Sequence, residues 1–265
     1  MSVLVSPEDF VPQATMHGRS IERPHKVDGH LVYAIGDIHG CYRQLTALFQ
    51  MIAEDAAMRA AGRNTILIFC GDYVDRGPDS SKVLDSLCWL RRHSPYELYF
   101  LKGNHEEVFN AYLRDPRQAT EWLKFGGCET MASYGVTPPA EDAPPADHYR
   151  ARDDLLEAMP VSHWRFLERL ELMVTIGDYA FVHAGVRANL PLEQQTEEDL
   201  LWIRDGFLDF NGSHEKIVVH GHSWDSYDPD IQDNRIGIDT GTYESGILTA
   251  LRVEDGSIGV LQATA

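Results

Sequence analysis

The sequence predicts an α/β fold, and three observations carry that prediction. Apolar runs of strand length recur along the chain, each closing in a short polar turn that contains glycine. Amphipathic helical segments separate the early runs, and the tail alternates strand-like runs with turns. With 265 residues, 43% of them hydrophobic and 24% charged, the chain can bury a sizeable core without disulfides.

In chain order, residues 1–29 read as a loosely ordered lead-in, with Pro7, Pro12 and Pro24 and little periodicity. The apolar runs follow: Leu31 to Ile35, Thr65 to Cys70, Leu98 to Leu101, Tyr179 to Val182 and Ile217 to Val219. They are nearly continuous and rich in Val, Ile, Phe and Tyr, as expected of strands buried on both faces. Leu45, Leu48, Phe49 and Ile52 keep helical spacing, with Gly62 placed to end that helix. Leu84, Leu87 and Leu90 form a second stripe after Pro78, Asp79 and Ser80, a helix start. Strand–helix–strand–helix–strand implies right-handed crossovers and a largely parallel sheet. The stretch from Glu106 to Leu172 carries no strand pattern and reads as short helices, with Val108, Tyr112, Trp122 and Phe125 on apolar faces. Inside it, Thr137 to Asp147 is rich in Pro, Ala and Asp and reads as a mobile surface loop. From Ile236 to Gln262 strand-like runs return, with Asp255-Gly256 as a hairpin turn. One catalytic domain over residues 30–265 is expected: a β-sandwich core flanked by helices, with a helical insertion at 106–172 near the mouth of the site.

Composition excludes several classes of function. A net charge of −18 repels nucleic acid phosphates, so nucleic acid is not an expected partner. It also repels phosphorylated substrates at long range, so any phosphate site must invert the local field with metals or arginines. No run approaches the roughly 20 apolar residues of a membrane span, and the first thirty residues lack a secretory h-region. Cys41, Cys70, Cys88 and Cys128 are scattered without a C-x-x-C pair and read as reduced thiols, so a cytoplasmic location is expected.

The chemistry lies in the turns. Each of the five runs ends in a possible metal ligand beside glycine: Gly36-Asp37-Ile38-His39-Gly40, Gly71-Asp72, Gly103-Asn104-His105, His183-Ala184-Gly185 and His220-Gly221-His222. Strand carboxyl ends converge on one edge of an α/β sheet, where ligand sites form. A single Gly-Asp is ordinarily a turn, and a single His near a strand end is ordinarily structural. Five at one structural position form a joint signal. Carboxylate, amide and imidazole donors suit Mn²⁺, Fe or Zn²⁺ in open sites, and the lack of thiolates argues against structural zinc. Two ions sharing one carboxylate would hold a bridging hydroxide and clamp a phosphate for in-line displacement.

These segments, with Gly71-Asp72-Tyr73-Val74-Asp75-Arg76-Gly77 and Gly103-Asn104-His105-Glu106, resemble the signature motifs of the phosphoprotein phosphatase family, within the calcineurin-like metallophosphoesterases. Leu201 to Asp205 and Trp122 to Gly135 look more like its bacterial and bacteriophage branch. The resemblance spans about Ile35 to Gly246 and implies a β-sandwich in α/β/β/α layers. It implies two divalent ions, first manganese, with Asp37 and His39 on one, Asp72 bridging, and Asn104, His183 and His222 on the other. It implies that His105 protonates the leaving alkoxide with Asp75 orienting it, and that Arg76, Arg204 and Asn104 bind phosphate. Tyr243 could line the site or simply pack, and His220 reads as structural.

The function implied is a metal-dependent serine/threonine protein phosphatase acting on phosphorylated proteins or peptides. The rival is a symmetrical dinucleoside tetraphosphate hydrolase, which shares the metal motifs and the continuation Arg76 to Ser80. As the resemblance implies, those hydrolases usually lack an aspartate at the position of Asp75. A phosphoanhydride has a good leaving group and needs a general acid less. A third reading, an inactive binding scaffold, conflicts with the intact ligand set.

Overall fold

Alternation along buried strands divides the protein into two stacked sheets. The computed structural model describes residues 14–264. Its first sheet holds β1 (Ala14–Glu22), β2 (Leu31–Ile35), β3 (Thr65–Phe69), β4 (Glu97–Phe100), β10 (Ile247–Glu254) and β11 (Ser257–Thr264), in the order β1-β11-β10-β2-β3-β4. The second holds β5 (Met173–Ile176), β6 (Tyr179–Val182), β7 (Ile217–His220), β8 (Asp230–Ile231) and β9 (Arg235–Gly237), in the order β5-β6-β7-β9-β8. In β2, Val32 and Ala34 face the core between the sheets, whereas Leu31, Tyr33 and Ile35 face a helical layer. In β6 and β7, Tyr179, Phe181, Ile217 and Val219 point inward, while Ala180, Val182 and Val218 point to the opposite outer layer. These strands therefore read as continuous apolar runs, because both of their faces are covered.

Helices α1 (Tyr42–Arg59), α2 (Ser80–His93), α3 (Asn104–Arg114), α4 (Gly127–Ser133), α5 (Pro145–Ala158) and α6 (Val161–Leu167) supply the layer on the first sheet. Helices α7 (Glu197–Trp202) and α8 (Asp205–Leu208) cover the second. A one-turn helix, α9 (Thr242–Ser245), follows β9. The layers run α/β/β/α, as the resemblance implies. None of the helices among the described residues is long and apolar enough to cross a membrane.

Three sequence readings change. Residues 14–22 of the supposed lead-in form β1, which pairs antiparallel with β11 at the sheet edge, and residues 1–13 lie outside the described residues. The segment lacks a Val/Ile-rich run, and its pairing shifts register between His17 and Ile21. Helix α3 begins at Asn104, two residues before the predicted insertion, so a candidate ligand sits on its first turn. The end of the predicted 137–147 loop belongs to α5, where Pro145 occupies the first turn. The expected hairpin is present: β10 and β11 join across Asp255-Gly256, with Gly256 at φ 82°. The four cysteines are free thiols.

Candidate active site

The parallel trio β2, β3 and β4 and the parallel trio β6, β7 and β9 bring their carboxyl ends to one edge. The loops there hold Asp37 and His39 after β2, Asp72, Asp75 and Arg76 after β3, His183 after β6 and His222 after β7. Asn104 and His105 open α3 after β4. Of the eight non-glycine residues with positive φ among the described residues, five are here: His39, Asp72, Asp75, Arg76 and His222. Such conformations cost about 1–3 kcal/mol each and persist only where the surroundings enforce them, as at functional sites. Close packing is part of that enforcement. A Cβ on Gly103 would meet Asp72 Oδ1 at 2.0 Å, and one on Gly221 would meet Asp37 Oδ1 at 2.0 Å.

Among the described residues, two groups bring their possible ligand atoms within 4.8 Å of one another: His39, Asp72 and His105, and Asp72, His183 and His222. Asp72 belongs to both. Its Oδ2 lies 3.5 Å from His39 Nε2, and its Oδ1 lies 3.5 Å from His183 Nε2. Asn104 Oδ1 sits 2.8 Å from His183 Nε2 and 2.9 Å from His222 Nδ1. Asp37 Oδ2 accepts from the His222 backbone N–H at 3.0 Å, while its buried Oδ1 has no hydrogen-bond partner.

This donor set fits two cations sharing Asp72. His39 Nδ1 donates to the Val74 carbonyl and His183 Nδ1 to the Cys70 carbonyl, so each Nε2 carries a lone pair. His183 Nε2 therefore faces Asn104 Oδ1 with no proton between them, a repulsive contact that a cation removes. Burial keeps the imidazoles neutral: it pulls His39 down to about 4, lowers His183, and with His183 nearby takes His222 down to about 2. Burial opposes charge on Asp72, yet the surrounding histidines hold its carboxyl below the usual range. Asp37 is pushed well up by burial and by the charges of Asp239 and Asp72. Glu106 is raised to about 8 by burial and Asp72, although it accepts the backbone N–H groups of Asp72, Tyr73 and Gly103. So many buried carboxylates with so few buried cations make a cage for added positive charge.

Beside this cage, His105 Nδ1 lies 2.7 Å from Asp75 Oδ2. Asp75 is fully buried, and its carboxylate also accepts from Trp122 Nε1 at 2.8 Å and Thr130 Oγ1 at 2.6 Å. Burial pushes Asp75 up, and its hydrogen bonds to His105, Thr130 and Trp122 pull the other way. For His105, burial opposes protonation, but Asp72 and the bond to Asp75 prevail and raise it to about 9. An imidazole oriented by a carboxylate and open at Nε2 can deliver a proton.

A cavity of about 250 Å³ opens onto these groups, lined by His39, Asp72, Arg76, Asn104, His105, Arg204, His222, Trp224, Asp239 and Tyr243. Arg204 Nε donates to His222 Nε2 at 3.0 Å. Arg76 lies with its guanidinium carbon 5.3 Å from the Tyr243 ring centroid, and its buried Nε has no partner. Tyr243 also meets His39 edge-on at 5.2 Å, so it lines the site. His220 packs edge-on against Phe207 at 4.9 Å, behind the ligands, as a structural residue would. Sequence reasoning missed Asp239, although it follows the apolar stretch Ile236 to Ile238 and precedes Gly241, the same strand-end pattern as the others. Burial raises Asp239 to about 7 against a bond from the Gly241 N–H.

Residues 30–239 match the family described as calcineurin-like phosphoesterase. The chain is 28% identical to an asymmetrical bis(5'-nucleosyl)-tetraphosphatase, PrpE, of Geobacillus thermodenitrificans, over 82% of this chain and 88% of that one. It is 26% identical to Shewanella-like protein phosphatase 2 of Arabidopsis thaliana, over 78% of this chain and 59% of that one. A solved structure described as a candidate diadenosine tetraphosphatase superposes with a TM-score of 0.57 at 21% identity, covering 89% of this chain and 95% of that one. This last likeness shows the fold alone.

Proposed function

Because the chain belongs to the calcineurin-like phosphoesterase family and is a metallophosphoesterase-type hydrolase, we propose that it is a two-metal phosphomonoesterase, a serine/threonine protein phosphatase. The observation that carries this reading is the Asp75–His105 pair at 2.7 Å. A serine alkoxide is a poor leaving group and needs a proton, whereas a phosphoanhydride needs one far less. A buried carboxylate committed to three donors, one of them this imidazole, is an arrangement that monoester hydrolysis uses.

Asp37, His39 and Asp72 would hold one ion, and Asp72, Asn104, His183 and His222 the other. Oxygen and imidazole donors suit manganese, with iron or zinc as other candidates. When bound, the ions supply an activated water and offset phosphate charge. The remaining work falls to the chain. His105, aligned by Asp75, gives its Nε2 proton to the leaving oxygen. Arg76, Arg204 and the Asn104 amide bind phosphate oxygens and keep the reacting group in line. If His222 held an ion through Nδ1, its proton would sit on Nε2, which could then no longer accept from Arg204 Nε, and that guanidinium would be available to phosphate. Free thiols fit a reducing, cytoplasmic setting.

A second reading, dinucleoside tetraphosphate hydrolysis, is favoured by the name that the Geobacillus relative carries. A parallel assay with Mn²⁺, using a phosphoserine peptide, a phosphotyrosine peptide and diadenosine tetraphosphate, separates the two. Higher kcat/KM on the peptides is expected, and a large preference for the dinucleotide would overturn the phosphatase reading. Loss of both activities despite two bound ions would support the inactive scaffold instead.

A further inference from the structure

Resting on the phosphomonoesterase reading, we propose that Phe125 is a specificity residue that receives an aromatic ring carried directly on the ester oxygen, as in phosphotyrosine. Phe125 is 52% exposed and, unlike the other exposed large rings away from the site, it sits beside a candidate phosphate-binding arginine, Arg76. It ends a 3₁₀ turn, Thr120–Phe125, just before Gly126. That turn is fastened to the catalytic loop on both sides of Phe125. Trp122 Nε1 donates to Asp75 Oδ2, and Thr130 Oγ1 donates to Asp75 Oδ1. Gly126 itself, at φ 111°, lies so close that a Cβ there would meet Arg76 N at 2.2 Å. Phe125 is thus held in register with Asp75 and Arg76.

The direction in which it is held matters. Asp75 backs His105, which would face the leaving group, and Phe125 lies just outside the residues that line the cavity, beside Arg76 at its rim. Arg76 meets two rings, its guanidinium carbon 5.8 Å from the Phe125 centroid and 5.3 Å from the Tyr243 centroid. A guanidinium that grips a phosphate therefore places whatever the phosphate is bonded to within reach of the Phe125 face. A serine side chain brings only a methylene to that position. A phenyl ring brings a partner for offset or edge-to-face stacking. The ring of a nucleoside is separated from its phosphate by the ribose and overshoots the same position.

The test compares phosphotyrosine and phosphoserine peptides of one sequence, with Mn²⁺, for the wild type, Phe125→Ala and Phe125→Trp. An aromatic pair is worth about a three- to tenfold preference. In Phe125→Ala the ratio of kcat/KM values, tyrosine over serine, should fall by about that factor, chiefly through KM. Phe125→Trp should retain the wild-type ratio. Trp89→Ala removes a comparably exposed ring on α2 that stacks on His93 and not beside Arg76, and it should leave the ratio unchanged. An unchanged ratio in Phe125→Ala, in an enzyme that hydrolyses both peptides, overturns the role of Phe125 alone. A wild type that hydrolyses neither peptide overturns the phosphomonoesterase reading beneath it.

Discussion

Replacing Asp75 with Asn isolates the charge behind the proton donor. The amide can keep the shape of the site. Its oxygen in place of Oδ2 still accepts from His105 Nδ1 and Trp122 Nε1, and its NH2 in place of Oδ1 can donate to Thr130 Oγ1. What disappears is the negative charge. A hydrogen bond to a charged group contributes about 1.5–3 kcal/mol and a neutral one about 0.5–1.5, so protonated His105 loses about 1–2 kcal/mol of support. At about 1.4 kcal/mol per decade, that is about a five- to thirtyfold loss in kcat on the alkaline limb, where the protonated fraction of His105 limits a reaction whose leaving group must be protonated. The assay is kcat against pH for a phosphoserine peptide and for p-nitrophenyl phosphate, whose leaving group needs no proton. The peptide rate should fall by that factor and the aryl rate by much less. The sign of the pH effect follows from His105, raised from 6.5 to about 9. Its protonated form is fully favoured below about 6.5 and lost as pH rises through the folded value, so peptide hydrolysis declines on the alkaline side. Cations on Asp72 weaken one of the charges that raise it, which brings that decline below 9 in the loaded enzyme. Asp75→Asn should shift the decline to lower pH. Equal losses on both substrates, or an unmoved alkaline limb, would refute the general-acid role of His105.

Gly103→Ala places a Cβ 2.0 Å from Asp72 Oδ1 and 2.4 Å from Asp72 N, so it should abolish tight Mn²⁺ binding in calorimetry while leaving far-ultraviolet circular dichroism unchanged. Mn²⁺ at about a hundred times its dissociation constant should raise thermal stability by about 2.7 kcal/mol per independent site, several degrees in Tm, and chelation should reverse it. Away from the site, Tyr33→Phe removes the hydroxyl that donates to buried Asp55 at 2.7 Å and should cost about 1–2 kcal/mol in urea unfolding with kcat unaltered. Burial opposes charge on Asp55, but its bonds from Tyr33, Arg252 and Arg59 hold its pKa down. Its contribution is therefore present above the ordinary carboxylate range and lost on acidification, and the cost of Tyr33→Phe should shrink at low pH.

The parts of the site that the sequence announces are those whose geometry is local. Gly71-Asp72 and His183-Ala184-Gly185 each carry strand end, turn and ligand within a few residues, and β2 and β6 fall on their predicted bounds. Asp239 obeys the same rule and was legible, but β9 is only Arg235–Gly237, too short to stand out as a run. What holds Asp75 was not legible as such. Trp122 and Thr130 reach it across 47 and 55 residues, a contact set by the docking of the helical insertion rather than by spacing. Strand β1 was hidden for a related reason: it pairs at a sheet edge in a shifted register, and its sequence lacks the continuous Val/Ile-rich run of the central strands. The substrate is the least legible feature, because the same donors serve a monoester and an anhydride alike.

The binuclear cage around Asp72 is tested most directly by anomalous diffraction from crystals equilibrated with Mn²⁺. Two peaks about 3.5–4 Å apart are expected, both in contact with Asp72, one beside Asp37 and His39 and the other beside Asn104, His183 and His222. A single peak, or a pair that Asp72 does not bridge, would contradict it.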